Sequence, residues 1–180
     1  MSTSTIAAPA GTWQLDKVHS SVAFQVPYLA GAFNGSFREF DGTLDLSDEG
    51  AALTGTARVA SVDVKDDNLS AHLQSPDFFD AESHPELSFA SDRIALDGES
   101  VEVSGEIAIK GVTRAIVATG AAHGPVVNLA GKDSLRLQLT TTIDRHDFGV
   151  SWNAELPGGG GKALGDEVAI LAELYFVKEA

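Results

Sequence analysis

Along most of the chain apolar and polar residues alternate with the period of a β-strand. Val22, Phe24 and Val26 fall on one side of a strand with Ser21, Ala23 and Gln25 on the other. Val101, Val103, Ile107 and Ile109 likewise oppose Glu102, Ser104 and Glu106, and Leu135, Leu137 and Leu139 oppose Arg136, Gln138 and Thr140. Strand windows of this kind are read at 20–26, 35–46, 52–64, 87–96, 100–109, 113–121, 135–145 and 166–177. Turn-forming pairs separate them, among them Asn34-Gly35, Asp97-Gly98, Lys110-Gly111 and Gly124-Pro125. One apolar and one wet face is the antiparallel signature, and short connections make the order a meander. Several windows exceed the usual strand length of about 5 to 6 residues, and strands that long leave exposed edges unless the sheet curls shut. The fold class expected is all-β: an antiparallel eight-stranded barrel, a size that holds either side chains or one small ligand.

Residues 67–85 interrupt the alternation. Asp67 or Asn68 is placed to cap a helical turn bearing Leu69 and Leu73, and Ser75 followed by Pro76 reads as a second helix start. Phe78 and Phe79 follow directly, which is more apolar surface than one turn hides on itself. The segment is therefore expected to be a short helical lid over the mouth of a barrel with an apolar interior. Residues 144–165, with Phe148, Trp152 and the run Gly158 to Gly161, are expected to form an irregular flap before the last strand. Residues 1–11 read as a flexible N-terminal tail and 12–178 as one domain.

Composition narrows the partners. The chain has 180 residues, and its 26 acidic against 12 basic residues give a formal net charge of -14. That balance argues against nucleic acid, whose partners carry clustered Lys and Arg. There is no cysteine, hence no disulfide and no thiolate metal site. No stretch approaches the roughly 20 apolar residues of a membrane-spanning helix. The opening MSTSTIAAPAG shows neither the basic region nor the apolar run of a secretory signal, and a cytoplasmic location is expected.

Catalytic motifs are tempting but incomplete. The loop PGGGGKALG fails as a phosphate loop, because Leu156 stands where the first glycine belongs and Ala163 where the hydroxyl belongs. Asp16, His19 and Ser20 invite a triad, yet strand neighbours point to opposite faces. These three read instead as a structural corner at the entrance to a strand. The five histidines show no HxH or HExxH spacing, and no metal or other cofactor is expected. Lys110-Gly111 reads as a hairpin turn, with Gly111 free to take a positive φ.

The block TWQLDKVHSSVAFQV, the lid, SFAS, GEIAIKGVTRAIV and IDRHDFGVSW, in that order and spacing, resemble the YceI family of polyisoprenoid-binding, lipocalin-like proteins across residues 12–177. The resemblance implies an extended antiparallel barrel whose apolar interior holds a long isoprenoid, a polyprenyl phosphate or a quinone tail, without catalysis. Members are often exported, a property this chain's amino terminus does not share. Residues 145–149 resemble the family's R-x-D-F-G segment, in which Arg145 would pair with a carboxylate, Phe148 pack and Gly149 allow a bend.

With that family in view, the candidate ligand-contacting residues are Phe24, Phe33, Phe37, Phe40, Phe78, Phe79, Phe89, Phe148 and Trp152, together with His19. Arg38 and Arg145 are candidates for a charged head group, chosen by sign of charge alongside Arg114 and Lys162. The function expected is storage, sequestration or transport of the lipid unaltered. Two rivals stand beside it. One is an enzyme acting on an apolar substrate through His19, His146 or Asp147; the other is a side-chain-filled barrel acting only through its surface, for instance as a homodimer.

Overall fold

The computed structural model describes residues 6–179. Its sheet contains β1 (Gly11–Leu15), β2 (Ser21–Tyr28), β3 (Gly31–Phe37), β4 (Phe40–Ser47), β5 (Gly50–Arg58), β6 (Val62–Asp63), β7 (Glu86–Asp97), β8 (Ser100–Ile109), β9 (Val112–Val127), β10 (Asp133–Asp144) and β11 (Glu167–Lys178). All pairings are antiparallel. β1 pairs with β11 near Phe176 and β2 pairs with β11 near Leu171, so β1 and β2 occupy one position around the barrel. For the same reason β3 and β4 share a position, as do β5 and β6. Three composite positions and five single strands make an eight-stranded meander that β1 closes by bonding to both β4 and β11.

The breaks within the composite strands are built by short polar side chains. At the first, the Asp16 carboxylate accepts from the backbone N–H of Val18 and His19 at 3.0 and 3.3 Å. Ser20 Oγ accepts from the Tyr175 N–H at 2.9 Å, taking over a ladder bond that the strand itself cannot make there. Asp16 and Ser20 thus form the expected corner.

Register puts the large apolar side chains inside. In β8, Val101, Val103 and Ile109 are buried while Glu102 and Glu106 are exposed, and in β10 Leu135, Leu137 and Leu139 are buried. Two inward positions carry glycine because an aromatic ring from the neighbouring strand lies over them. A Cβ at Gly35 would sit 2.3 Å from the Phe24 ring, and one at Gly105 would sit 2.3 Å from the Ala90 carbonyl oxygen and 2.8 Å from the Phe89 ring. The rings cover the gaps that glycine leaves in a strand.

The end of the barrel formed by the β4–β5, β7–β8 and β9–β10 turns is solid. Trp13, Leu44, Leu46, Val101, Val103, Leu135 and Leu137 fill it, with Ile6 also buried among them. Of the segment expected as a tail, residues 1–5 lie outside the described residues, and Trp13 Nε1 donates to the Pro9 carbonyl at 3.1 Å.

The opposite end is splayed. There β6 is not bonded to β7, and α1 (Asp67–Gln74) with the turns after it fills the gap. The helix is capped by Asp66, whose side chain accepts from the Leu69 N–H at 2.9 Å, and not by Asp67 or Asn68, the caps expected from sequence, which lie one and two residues further on. Ser75 does not start a second helix. It ends the first, its hydroxyl donating to the His72 carbonyl at 2.6 Å, and the following residues make turns that return Phe78 and Phe79 to the barrel. No helix among the described residues is long and apolar enough to cross a membrane.

Three surface carboxylates sit below their ordinary values. Lys65 N–H and Arg38 hold Asp63 down, and Arg136, in a two-bond pair at 2.7 and 2.9 Å, holds Glu173 down. At Asp16 burial pushes upward, but hydrogen bonds from His19 and Val18 outweigh it. A carboxylate depressed in the folded state stabilises the fold above its unfolded pKa, and that stabilisation is lost as pH falls through the folded value. Urea midpoints are therefore expected to stay level from neutrality to about pH 5 and to decline below about pH 4. Asp16→Asn and Glu173→Gln should each flatten the decline; a midpoint unchanged down to pH 2 would contradict this account.

Candidate ligand cavity

The splayed end is hollow. A cavity of about 600 Å³ runs from beneath α1 down to Leu15, Ala118, Leu139 and Phe176, where the solid end begins. It lies within the roughly 300–1,000 Å³ of small-molecule sites, whereas ordinary cores leave few voids larger than a water. A side-chain-filled barrel is thereby set aside. The cavity is a blind pocket rather than an open tunnel, since Trp13, Leu44 and Val103 are fully buried across its floor.

Its wall brings together all nine aromatic candidates. Phe24, Phe33, Phe37 and Phe40 come from the β2–β4 side, Phe78 and Phe79 from the lid, Phe89 from β7, and Phe148 and Trp152 from the flap. The strands position the first group and Phe89 by alternation, while the lid rings hold one another. Phe79 meets Phe24 and Phe37 edge-on with centroids 6.1 and 5.7 Å apart, and Phe78 lies 5.4 Å from Trp152. Edge-to-face pairs at these spacings are favourable beyond simple burial. The rest of the wall is mostly aliphatic, including Leu69, Leu73, Leu87, Ile107, Ile143 and Val168.

Two wall residues were not singled out from sequence. His72 of α1 packs between the Phe78 and Trp152 rings at 5.0 and 4.8 Å, with Nε2 bound to Asp77 at 3.1 Å. Its signal was available, because His72 follows Leu69 by three residues on the apolar side of the helix. Tyr28, at the tip of the β2–β3 hairpin, lines the cavity while 45% exposed. A tyrosine next to a turn carries no pattern that distinguishes it from a surface residue.

The polar candidates divide. Arg145 is 4% exposed and borders the cavity, but it is no ion pair with a carboxylate as the resemblance implied. Its Nε donates to the Gly165 carbonyl at 2.9 Å and its Nη1 to the carbonyls of Val150 and Trp152 at 2.9 and 2.8 Å, tying the flap to the barrel. Nη2 has no acceptor, an arrangement that is costly for a buried cation. Gly149 does supply the bend, at φ 73°. His19 and Arg38 stand outside the cavity: the His19 side chain is 69% exposed beside Asp16, and that of Arg38 is 76% exposed beside Asp63. Both fall in breaks between strands, His19 in the corner before β2 and Arg38 between β3 and β4, where the chain turns toward solvent. His146, bound to Asp166 at 2.8 Å, and Asp147 also lie off the cavity wall. Lys110, at the β8–β9 turn, ties lid to flap by donating to the Pro76 carbonyl at 2.6 Å and the Gly149 carbonyl at 3.3 Å.

Comparison with known proteins agrees with this architecture. BcnA of Burkholderia cenocepacia superposes with a TM-score of 0.77 over 89% of this chain and 98% of that one, at 22% identity. A structure described as a polyisoprenoid binding domain from Saccharophagus degradans, implicated in plant cell wall breakdown, superposes with a TM-score of 0.71 over 93% of this chain and 98% of that one, at 13% identity. Among curated proteins, the protein YceI of Escherichia coli is 28% identical over 116 residues. That match spans 61% of this chain and 61% of that protein, so the chain covers about three fifths of the relative's length. The profile of the YceI-like domain matches residues 13–176, almost the whole barrel from Trp13 to Phe176, and the chain belongs to the YceI family.

Proposed function

We propose that this barrel binds a long-chain isoprenoid lipid and carries or sequesters it unaltered. The blind cavity of about 600 Å³ under an aromatic lid is the observation that carries the reading. Its wall is apolar almost throughout, so it suits a hydrocarbon chain better than a polar metabolite. The likeness to a structure described as a polyisoprenoid binding domain supports the same ligand class. In this reading the ligand's head is a phosphate or a quinone, and Arg145, the single arginine or lysine on the wall among the described residues, is the candidate to meet it. The protein acts as a carrier rather than an enzyme, since His19, His146 and Asp147, proposed for chemistry, lie off the cavity wall.

Native mass spectrometry of freshly purified protein tests this. Retention of an apolar molecule that organic solvent extracts, with a prenyl fragmentation pattern, is the expected result. Protein that repeatedly carries nothing, and that fails to take up added geranylgeraniol or geranylgeranyl phosphate, would overturn the reading.

A further inference from the structure

Residues 163–165, which follow the four-glycine run, meet the β2–β3 hairpin tip, far away in sequence, beside the cavity. Leu29 N–H donates to the Ala163 carbonyl at 3.0 Å, Gly165 N–H donates to the Pro27 carbonyl at 2.9 Å, and Tyr28 bridges to Leu164. Residues 27–32, Pro-Tyr-Leu-Ala-Gly-Ala, are all exposed; of residues 156–161, Leu-Pro-Gly-Gly-Gly-Gly, only Leu156 is half-buried. Together they form a rim of twelve residues without a formal charge, on a chain whose net charge is -14.

Leu29 is 56% exposed. Its φ of 50° is set by the fold, because the loop joining Tyr28 to Gly31 has two residues and such hairpins need a positive φ at the first of them. Its side chain joins neither buried cluster among the described residues. Tyr28 beside it is 45% exposed and also lies on the cavity wall, as do Ala154, Ala163 and Leu164. The rim is thus continuous with the lining of the cavity.

We propose that this rim is a membrane-docking edge, seating at the polar–apolar boundary of a zwitterionic lipid bilayer so that the cavity faces the phase in which an isoprenoid dissolves. The proposal rests on the isoprenoid-binding reading above. Tyrosine with an apolar body and polar tip suits that boundary, and an exposed leucine gains by entering it. A bilayer is favoured over a protein groove because the rim joins directly onto the wall that would receive the lipid. The surface must be zwitterionic, since the net charge of -14 is repelled by anionic headgroups.

The test uses the full chain, phosphatidylcholine vesicles and two variants. Leu29→Asp places a charge at the tip in a residue that tolerates the left-handed conformation, and Leu29 is not on the cavity wall. Gly160→Asp does the same in the glycine run, where φ is -75° and a Cβ would make only ordinary contacts, with Leu156 at 3.6 Å and the Pro157 carbonyl oxygen at 3.8 Å. Wild-type protein is expected to co-sediment with phosphatidylcholine vesicles and less with phosphatidylserine vesicles. Leu29→Asp should lower vesicle association and the rate of uptake of vesicle-held geranylgeraniol by about tenfold or more, the weight of one leucine withdrawn from an apolar phase, and Gly160→Asp, which adds a charge without removing a leucine, should lower both in the same direction. Affinity for farnesol supplied from solution should stay within about twofold, an ordinary surface-substitution effect. Wild-type protein that ignores the vesicles, or variants that behave like it, would overturn the proposal. So would a Leu29→Asp variant that changes only from dimer to monomer in sedimentation, which would assign the rim to a second copy. Vesicle association without farnesol binding would instead sink the isoprenoid reading and leave the docking edge standing.

Discussion

Replacing Ala118 with phenylalanine is expected to weaken binding of a long prenyl ligand by a few hundredfold while the barrel stays folded. Ala118 lies on β9 at the deep end of the cavity, 7% exposed, with Leu139 and Phe176 also on that part of the wall. A phenyl ring added there occupies about the volume of one isoprene unit. Burying a methylene-sized group is worth about 0.8 kcal/mol, so displacing five carbons forfeits roughly 3 to 4 kcal/mol, and each 1.4 kcal/mol is tenfold in affinity. Ala118 borders the cavity as well as the packed end, so the ring has open space on one side and the strain that usually accompanies overpacking is reduced. The loss should depend on length: a prenyl chain too short to reach the floor should bind the variant as it binds the wild type. Titration of farnesol and of a longer polyprenol against both proteins checks this. Equal affinity of the variant for the long chain would place the ligand elsewhere.

Replacing Trp13 with alanine is expected to cost about 3 to 5 kcal/mol of stability, the range for large aromatic truncations in a core. Trp13 is fully buried in the solid end, and its indole N–H donates to the Pro9 carbonyl. Its strand is also the one that closes the ring, bonding to Leu44 on one side and Lys178 on the other. For a domain whose total stability is about 5 to 15 kcal/mol, this is a large share. Urea unfolding measures it, with Trp13→Phe expected to recover part of the loss by keeping a ring in place. A deficit under about 1 kcal/mol would mean that neighbouring side chains collapse into the space.

How far the fold could be read from sequence depended on how locally each element is determined. β8 matches its sequence window at both ends, because Val101, Val103 and Ile109 alternate without interruption between two glycine turns. β9 runs six residues past its expected end at Ala121, through Gly124-Pro125, which looks like a turn. The strand absorbs that pair at an irregularity in its register opposite Ser134 and Arg136. β1 has only five residues and two inward side chains, and what makes it a strand is a partner more than 150 residues away. The window at 35–46 hid a break at Arg38 and Glu39, since nothing local says that β3 and β4 pair with different halves of the composite first strand.

The candidate site was legible through its aromatics. Phe24, Phe37, Phe89 and their counterparts lie on the cavity wall because alternation assigned the strand rings to the inward face and the lid had no other apolar surface to meet. Charge was a poorer guide. Arg38 and His19 were chosen by sign and by nearness to a strand, and both face water beside carboxylates. Arg145, the one arginine or lysine on the wall among the described residues, serves three backbone carbonyls, which no side-chain pattern reveals.

Closure by the first and last strands also bears on how the molecule comes into being. Thr12 and Glu179 are hydrogen-bonded neighbours at 3.0 Å, so the hoop stays unfastened until the final strand has left the ribosome. For that interval the nascent sheet shows two raw margins, at β10 and at the composite of β1 and β2, along with a greasy concave inner surface. Such margins recruit stray chains.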